Sequence, residues 1–186
     1  MAALFLRTQR LELRPLTLDD LDELTAMLGD REALSHWGEP LDRRGAREWI
    51  ERNLARYAAN GFGRCAVILL GTGELVGDCG LISTTVESKR EVELGWIVRR
   101  SYWGRGIATE AAAAWRDFAF GTIGLERIVS MISHENIASR RVAEKLGMKV
   151  EREAVWGDLP HLMYSLTRSA KEPPIRCFDG KETRSG

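Results

Sequence analysis

Residues 101 to 115 read SYWGRGIATEAAAAW. Two glycines one position apart, Gly104 and Gly106, run directly into a block of alanines. Each glycine gives up backbone entropy on folding, so the pair marks a place where the chain bends sharply or lets another group come very close. Alanine is the strongest helix former. The stretch therefore predicts a tight turn feeding a helix from about Gly106 to Phe118, with Ile107, Ala111, Trp115 and Phe118 at helical spacing. Before it lies EVELGWIV, a predicted strand with Val92, Leu94, Trp96 and Val98 on one face. Gly95 inside that strand marks a bulge or a close backbone approach. A strand that passes through a glycine turn into a helix leaves the first helical N–H groups unpaired, beside the positive end of the helix dipole. That arrangement is a site for phosphate oxygens.

The rest of the chain supplies a mixed sheet and its helices. RLELRPL alternates and predicts a first strand. Thr17, the acidic Asp19 and Asp20, and a stripe of Leu18, Leu21, Leu24 and Leu28 predict a capped amphipathic helix closed near Gly29. A second helix is predicted over 43 to 58. CAVILL, GTGE and LVGDCGLIST read as two strands around a turn carrying Gly71 and Gly73. RIVSMIS is a buried-type strand, NIASRRVAEKLGM a helix closed by Gly147, and strands near 149 to 155 and 161 to 166 complete the domain. The expected domain spans 1–167, followed by a polar, proline-bearing tail over 168–186.

Composition narrows the function. Lys plus Arg and Asp plus Glu both number 27, a balance that argues against a nucleic-acid binder working through a basic face. No apolar run reaches membrane-spanning length and no signal-peptide core opens the chain, so no membrane partner is expected. Cys65, Cys79 and Cys177 form neither a disulfide framework nor a CxxC pair, which makes the cytoplasm the default location. With the 3 histidines scattered, no metal site is expected.

Three nucleotide readings compete for the glycine turn. A Walker loop needs G-x-x-x-x-G-K-[ST], which is absent. A dinucleotide fingerprint has Thr109 where its third glycine belongs, and it opens a βαβαβ unit for which the roughly 80 residues that follow are too few. The third reading is the pyrophosphate of coenzyme A, and a second motif bears on it. In HENIASRRVAEKLGM, Asn136, Ser139 and Ala143 fall along one side of a helix, beside an apolar stripe of Ala138, Val142 and Leu146. Taken singly, Asn136 reads as a helix cap and Ser139 as a solvated residue.

Together the two motifs resemble the GNAT superfamily of acetyl-CoA-dependent N-acetyltransferases, in its RimJ/RimL-like branch. The resemblance covers roughly residues 7 to 166 and rests on TQRLELRPL, the ELGW strand, WGRGIATEA and NIASRRVAEKLGM. It implies an α/β GNAT fold, with a mixed, mostly antiparallel sheet of six to seven strands flanked by about four helices. The superfamily's Gln/Arg-x-x-Gly-x-Gly/Ala motif falls on residues 103 to 108, with Trp103 in the Gln or Arg position. The resemblance implies acetyl-CoA as cosubstrate, held by Trp96, Ile97 and Val98, by the turn Trp103, Gly104, Arg105, Gly106, Ile107, Ala108 and Thr109, and by Asn136, Ser139 and Arg141. Arg99 and Arg100 stand near the same phosphates.

The implied reaction is direct attack of an amine on the thioester. Glu93 is the expected base and faces the acceptor, with Glu91, His134 and a water relay as alternatives. A backbone N–H near Trp96 or Ile97 is the expected oxyanion donor. Many relatives place a tyrosine where this chain has Ala143, which leaves Ser139 as the hydroxyl for the departing thiolate and Tyr164 behind it. Trp37, in SHWGEP, is expected at the acceptor pocket. The acceptor is a protein N-terminus in the RimJ/RimL-like reading, a small amine such as a polyamine, amino acid or aminoglycoside in the alternative. A homodimer is expected by resemblance. A non-catalytic acyl-CoA sensor and a nicotinamide-dependent oxidoreductase are the rival classes.

Overall fold

A strand turns alternate side chains to opposite faces, and here both faces of one sheet carry helices. The computed structural model describes residues 5–156 and 159–168; the expected tail beyond Arg168 lies outside the described residues. The strands are β1 (Leu6–Arg7), β2 (Leu11–Pro15), β3 (Arg64–Leu69), β4 (Leu75–Val86), β5 (Lys89–Val98), β6 (Arg127–Ser133), β7 (Lys149–Trp156) and β8 (Leu159–Thr167). The helices are α1 (Leu21–Leu28), α2 (Arg43–Asn60), α3 (Ile107–Phe118) and α4 (Ile137–Lys145). The sheet runs β1-β2-β3-β4-β5-β6-β8-β7. Every neighbouring pair is antiparallel except β5 with β6.

On one face, Leu94 and Trp96 of β5 pack with Ile107, Ala111 and Trp115 of α3, with Ala143 of α4 and with Leu146 at its C-terminal cap. On the other, Ile97 of β5 and Ala66 and Ile68 of β3 meet Leu21, Leu24 and Leu28 of α1 and Ala46 and Ile50 of α2. Residues one apart on β5 thus belong to different cores.

Three expectations need correction. The sheet has eight strands rather than six to seven. The extra one is β1, too short for alternation to reveal. It is held through the turn that follows: the Thr8 N–H donates to the Leu11 carbonyl at 2.9 Å, and the Thr8 hydroxyl donates to Glu110 of α3 at 2.5 Å. Leu18 is exposed, because it sits in a 3-10 turn ahead of α1, so the buried stripe begins at Leu21. On α4 the apolar stripe takes in Ala143, which is fully buried and belongs to the core, whereas Ala138 is exposed.

The parallel pair β5–β6 registers only at Glu93↔Val129, while β4–β5 runs unbroken from Gly77↔Val98 to Val86↔Lys89. Where the β5–β6 ladder ends, the buried Ser130 hydroxyl donates to the Leu94 carbonyl at 2.6 Å. A side chain thus takes over from the backbone at the fork.

Removing that hydroxyl leaves a buried carbonyl unpaired. Ser130→Ala is expected to lower unfolding stability by about 1–3 kcal/mol, read as a lower urea midpoint. An unchanged midpoint would show that the hydroxyl does not hold the fork together.

Candidate functional site

Beyond the Glu93↔Val129 pair a cleft of about 570 Å³ opens between β5 and β6. Leu94, Gly95 and Trp96 line one side of it and Ser130 to Ser133 the other. Asn136 and Ser139, at the start of α4, close the end on the α3/α4 face. Ser35 to Gly38, ahead of α2, and the β7–β8 residues Trp156, Leu159, Pro160 and His161 wall the remainder.

Glu93 sits in this cleft and is 3% exposed. Its Oε2 has no hydrogen-bond partner. Burial pushes its carboxyl up to about 7, against the lowering effects of the Arg64 charge, the Met131 backbone amide and Arg56. A carboxylate with such a midpoint changes charge near neutrality, which suits acid–base work. Glu91 is differently committed. It pairs with Lys89 and Arg127 at 3.1 Å each and lines a separate depression, so it does not share the site.

The charge beside Glu93 comes from a buried pair. Arg64 (2% exposed) and Asp78 (0% exposed) form an ion pair through the Arg64 Nε and Nη2. The Trp49 indole N–H also donates to Asp78, at 3.0 Å. The guanidinium lies between two rings, 5.1 Å from the Trp37 centroid and 5.6 Å from that of Trp49. Gly95 makes this possible. A Cβ there would stand 2.3 Å from Arg64 Nη1 and 3.3 Å from Trp37. The unbroken β4–β5 ladder shows that Gly95 is a point of close approach and not a bulge. Trp37, 39% exposed, therefore covers the cleft from a fixed perch.

Peptide groups alternate along a strand as side chains do. The Leu94 carbonyl accepts from Ser130 of β6, and the Val98 carbonyl accepts from the Trp103 indole N–H at 2.7 Å. Trp96 lies midway between them, so its peptide N–H points the same way, into the gap beside β6. The Ile97 peptide group points toward β4, where it registers with Asp78. Of the two expected amides, only that of Trp96 faces the cleft.

The glycine turn follows β5 directly. Gly104 and Gly106 have φ of 73° and 77°, left-handed values that L side chains rarely adopt. Gly106 is the N-cap of α3 and carries no side chain to satisfy the amides of its first turn. The first helical bond of α3 runs from the Glu110 N–H to the Gly106 carbonyl at 3.0 Å, leaving the Ile107, Ala108 and Thr109 amides ahead of it. Trp103 is exposed, and its indole bond to Val98 ties the turn to the strand. From the other side, Arg10 donates to the Arg105 carbonyl at 3.0 Å and pairs with Glu110 at 2.6 Å. Arg105 itself is exposed and lies over the Tyr102 ring.

The expected residues therefore divide. Trp37, Glu93, Trp96, Asn136 and Ser139 share the cleft, and Trp103 to Thr109 form a separate amide-rich turn at the end of β5. Ile97 and Ile107 are buried in opposite cores, and Arg141 is exposed away from the cleft lining. Asn136 caps α4 by accepting from the Ser139 N–H at 3.0 Å. Tyr164 lies outside the cleft lining, its hydroxyl held between Arg140 and Glu144. Missing from the sequence reading are Arg64, Asp78, His36 and His161. The first two were visible as charged residues inside otherwise apolar strands. All 3 histidines of the chain, His36, His134 and His161, line this one cleft, without forming a metal-binding group among the described residues.

Burial of Glu93 also links folding to pH. Its carboxyl titrates near 7 when folded and near its ordinary value when unfolded, so the folded state holds the proton longer. Its contribution is complete below the unfolded value and is lost as pH rises toward 7. Glu93→Gln is expected to gain stability relative to the parent between pH 5 and 8 by at most about 3 kcal/mol. Parallel pH dependences of the two urea midpoints would refute the shift.

The model of the acetyltransferase (GNAT) domain family matches residues 10–149. The uncharacterized protein YkkB of Bacillus subtilis is 32% identical over 144 residues, 76% of this chain and 83% of that protein. The crystal structure of an acetyltransferase from Agrobacterium tumefaciens is 32% identical with a TM-score of 0.80, covering 90% of this chain and 96% of its own. Mycobacterium smegmatis RimJ in complex with CoA-disulfide shares the fold, at 22% identity, a TM-score of 0.71, and coverage of 89% and 86%. With the family model spanning most of the chain and the glycine turn falling inside the match, the chain belongs to the GNAT family of acetyltransferases.

Proposed function

We propose that the chain transfers the acetyl group of acetyl-CoA to a primary amine by direct attack, with Glu93 as the base. The observation that carries this is a buried carboxyl with a free oxygen and a midpoint near 7, facing a cleft between two splayed strands. A carboxylate of that basicity takes the proton of an ammonium, which frees the nitrogen lone pair to attack the thioester carbonyl carbon. The Trp96 N–H donates to the oxyanion that develops there. As the C–S bond breaks, the Ser139 hydroxyl, with no hydrogen-bond partner among the described residues, donates a hydrogen bond to the departing thiolate, and the second proton of the former ammonium nitrogen passes to that sulfur. The products are an acetamide and free CoA.

The left-handed turn at Gly104 and Gly106 supports a diphosphate site, because the amides of Ile107, Ala108 and Thr109 precede the first helical bond of α3. The site depends on main-chain N–H groups, so a tryptophan in the first motif position is tolerated. Its indole serves the turn itself, through the bond to Val98. In the RimJ/RimL-like reading the acceptor is the N-terminal amine of a peptide. A small amine suits the same chemistry, since both present one neutral nitrogen once the proton is removed.

Two variants separate binding from chemistry. Glu93→Gln is expected to lower kcat about 10²-fold or more, to leave acetyl-CoA affinity near the parent value, and to abolish a rise in rate with a midpoint near 7. A retained pH profile in that variant removes Glu93 from the mechanism. Gly106→Glu places an anion where phosphate belongs and is expected to eliminate acetyl-CoA binding by calorimetry while the circular dichroism spectrum persists. Unchanged affinity would sink the turn as the diphosphate site.

A further inference from the structure

The acceptor end of the cleft is built for a particular kind of amine. Glu93, Met131 and His161 alternate with Leu94, Ile132 and Leu162 along their strands, so they occupy the sheet face opposite α3 and α4. Above them stand Trp37 from the loop ahead of α2 and Trp156 with Leu159 from β7 and β8. The walls are thus flat rings and aliphatic groups. His161 is 7% exposed, and its Nδ1 lies 3.0 Å from the Leu159 carbonyl, which orients the ring.

Charge is scarce. Among the described residues the lining carries two carboxylates, Glu93 and Glu135, and neither lysine nor arginine. The nearest buried cation, Arg64, is committed to Asp78. A polycation would bring several ammonium groups to one buried carboxylate, and its surplus charges would have only the exposed Glu135 to meet them among the described residues. A free amino acid would bring a carboxylate with no lysine or arginine to meet it, only the rings of His36, His134 and His161. An aromatic ring or branched alkyl group carrying a single amine meets neither penalty, and its ammonium finds Oε2 of Glu93, which has no partner.

We infer that the acceptor is a primary amine with a single positive charge, no carboxylate, and an aromatic or bulky apolar body stacked between Trp37 and Trp156. This rests on the acetyl-transfer reading. The shared chemistry has two sources: a free arylalkylamine, or the apolar first residue of a peptide chain.

The experiment measures kcat/KM of the full chain with acetyl-CoA for a matched panel. Its members are 2-phenylethylamine, phenylalaninamide, phenylalanine, spermidine, kanamycin, and two amidated peptides that differ only in Phe or Ser as first residue. Phenylalaninamide and phenylalanine share ring and amine and differ at the carboxylate alone. The amine, the amide or the Phe-first peptide is expected to exceed phenylalanine, spermidine and kanamycin by about tenfold or more. Turnover of the peptide but not the small amines assigns the source to a polypeptide; the converse assigns it to a small molecule. Trp37→Ala and Trp156→Ala are each expected to raise KM for the preferred amine about tenfold while KM for acetyl-CoA stays within about twofold. Spermidine, kanamycin or phenylalanine turned over as well as the preferred amine, or the Ser-first peptide preferred to the Phe-first one, would overturn the inference and leave acetyl transfer standing. Calorimetric binding of acetyl-CoA with no transfer to any amine would overturn the acetyl-transfer reading, and this inference with it.

Discussion

The structure turns on one incomplete contact. β5 and β6 are parallel because α3 carries the chain back across the sheet between them, and a parallel neighbour requires such a crossover. They pair at Glu93↔Val129 and then part. Had they stayed paired, the sheet would seal the α3/α4 face from the α1/α2 face. Because they part, the Trp96 peptide group, Asn136 and Ser139 lie along the same opening as Glu93 and Trp37. The sheet stays continuous on both sides of the fork, so the opening is held by ordinary antiparallel ladders and not by a mobile loop.

The fork also explains why Glu93 tolerates burial. An isolated buried carboxyl climbs until it stays protonated at neutral pH, whereas one beside a free guanidinium is held too low to be an effective base. Arg64 occupies the middle ground. Its charge lowers the Glu93 midpoint, but its Nε and Nη2 are spent on Asp78, so the pull on Glu93 is only part of what a free arginine would exert. Stability alone does not call for a buried pair of this kind, since apolar replacements often fold as well. Here the pair also fixes Trp37 and Trp49 through their rings and reaches α2 through Trp49 and Asn53, whose Oδ1 accepts from the Arg64 N–H at 2.9 Å.

Much of this was legible in the sequence because it depends on local pattern. The glycine turn, the helix ends at Gly106 and Gly147, the alternation in EVELGWIV and the burial of Trp115 all follow from spacing within a few residues. What stayed hidden is non-local. Nothing near Arg64 announces Asp78 in the next strand, and nothing in SHWGEP announces that Trp37 will rest on that arginine. The three histidines lie in different segments, and only the register of β6 with β8, Ser133 beside His161, draws two of them together. Of the expected α4 stripe, Val142 and Leu146 meet the core and Ala138 does not; alanine at 138 and alanine at 143 look alike in a pattern, although only the second is buried.

That buried alanine bears on the leaving group. A tyrosine at position 143 would have to displace core packing, since Ala143 is fully buried in the cluster that also holds Leu146 and Tyr164. The Tyr164 hydroxyl is meanwhile engaged at 3.3 Å by both Arg140 and Glu144. Neither position can present a free phenol to the cleft. Under the proposed mechanism the departing sulfur is left with Ser139, in the first turn of α4, and with the positive end of that helix's dipole, which favours an anion by a fraction of a kcal/mol up to about 2 kcal/mol. A thiol of ordinary acidity, with a pKa of about 8.5, needs little more than this to leave near neutral pH. Because Asn136 already caps the helix through the Ser139 N–H, the hydroxyl of Ser139 is spared from capping and remains available to the sulfur.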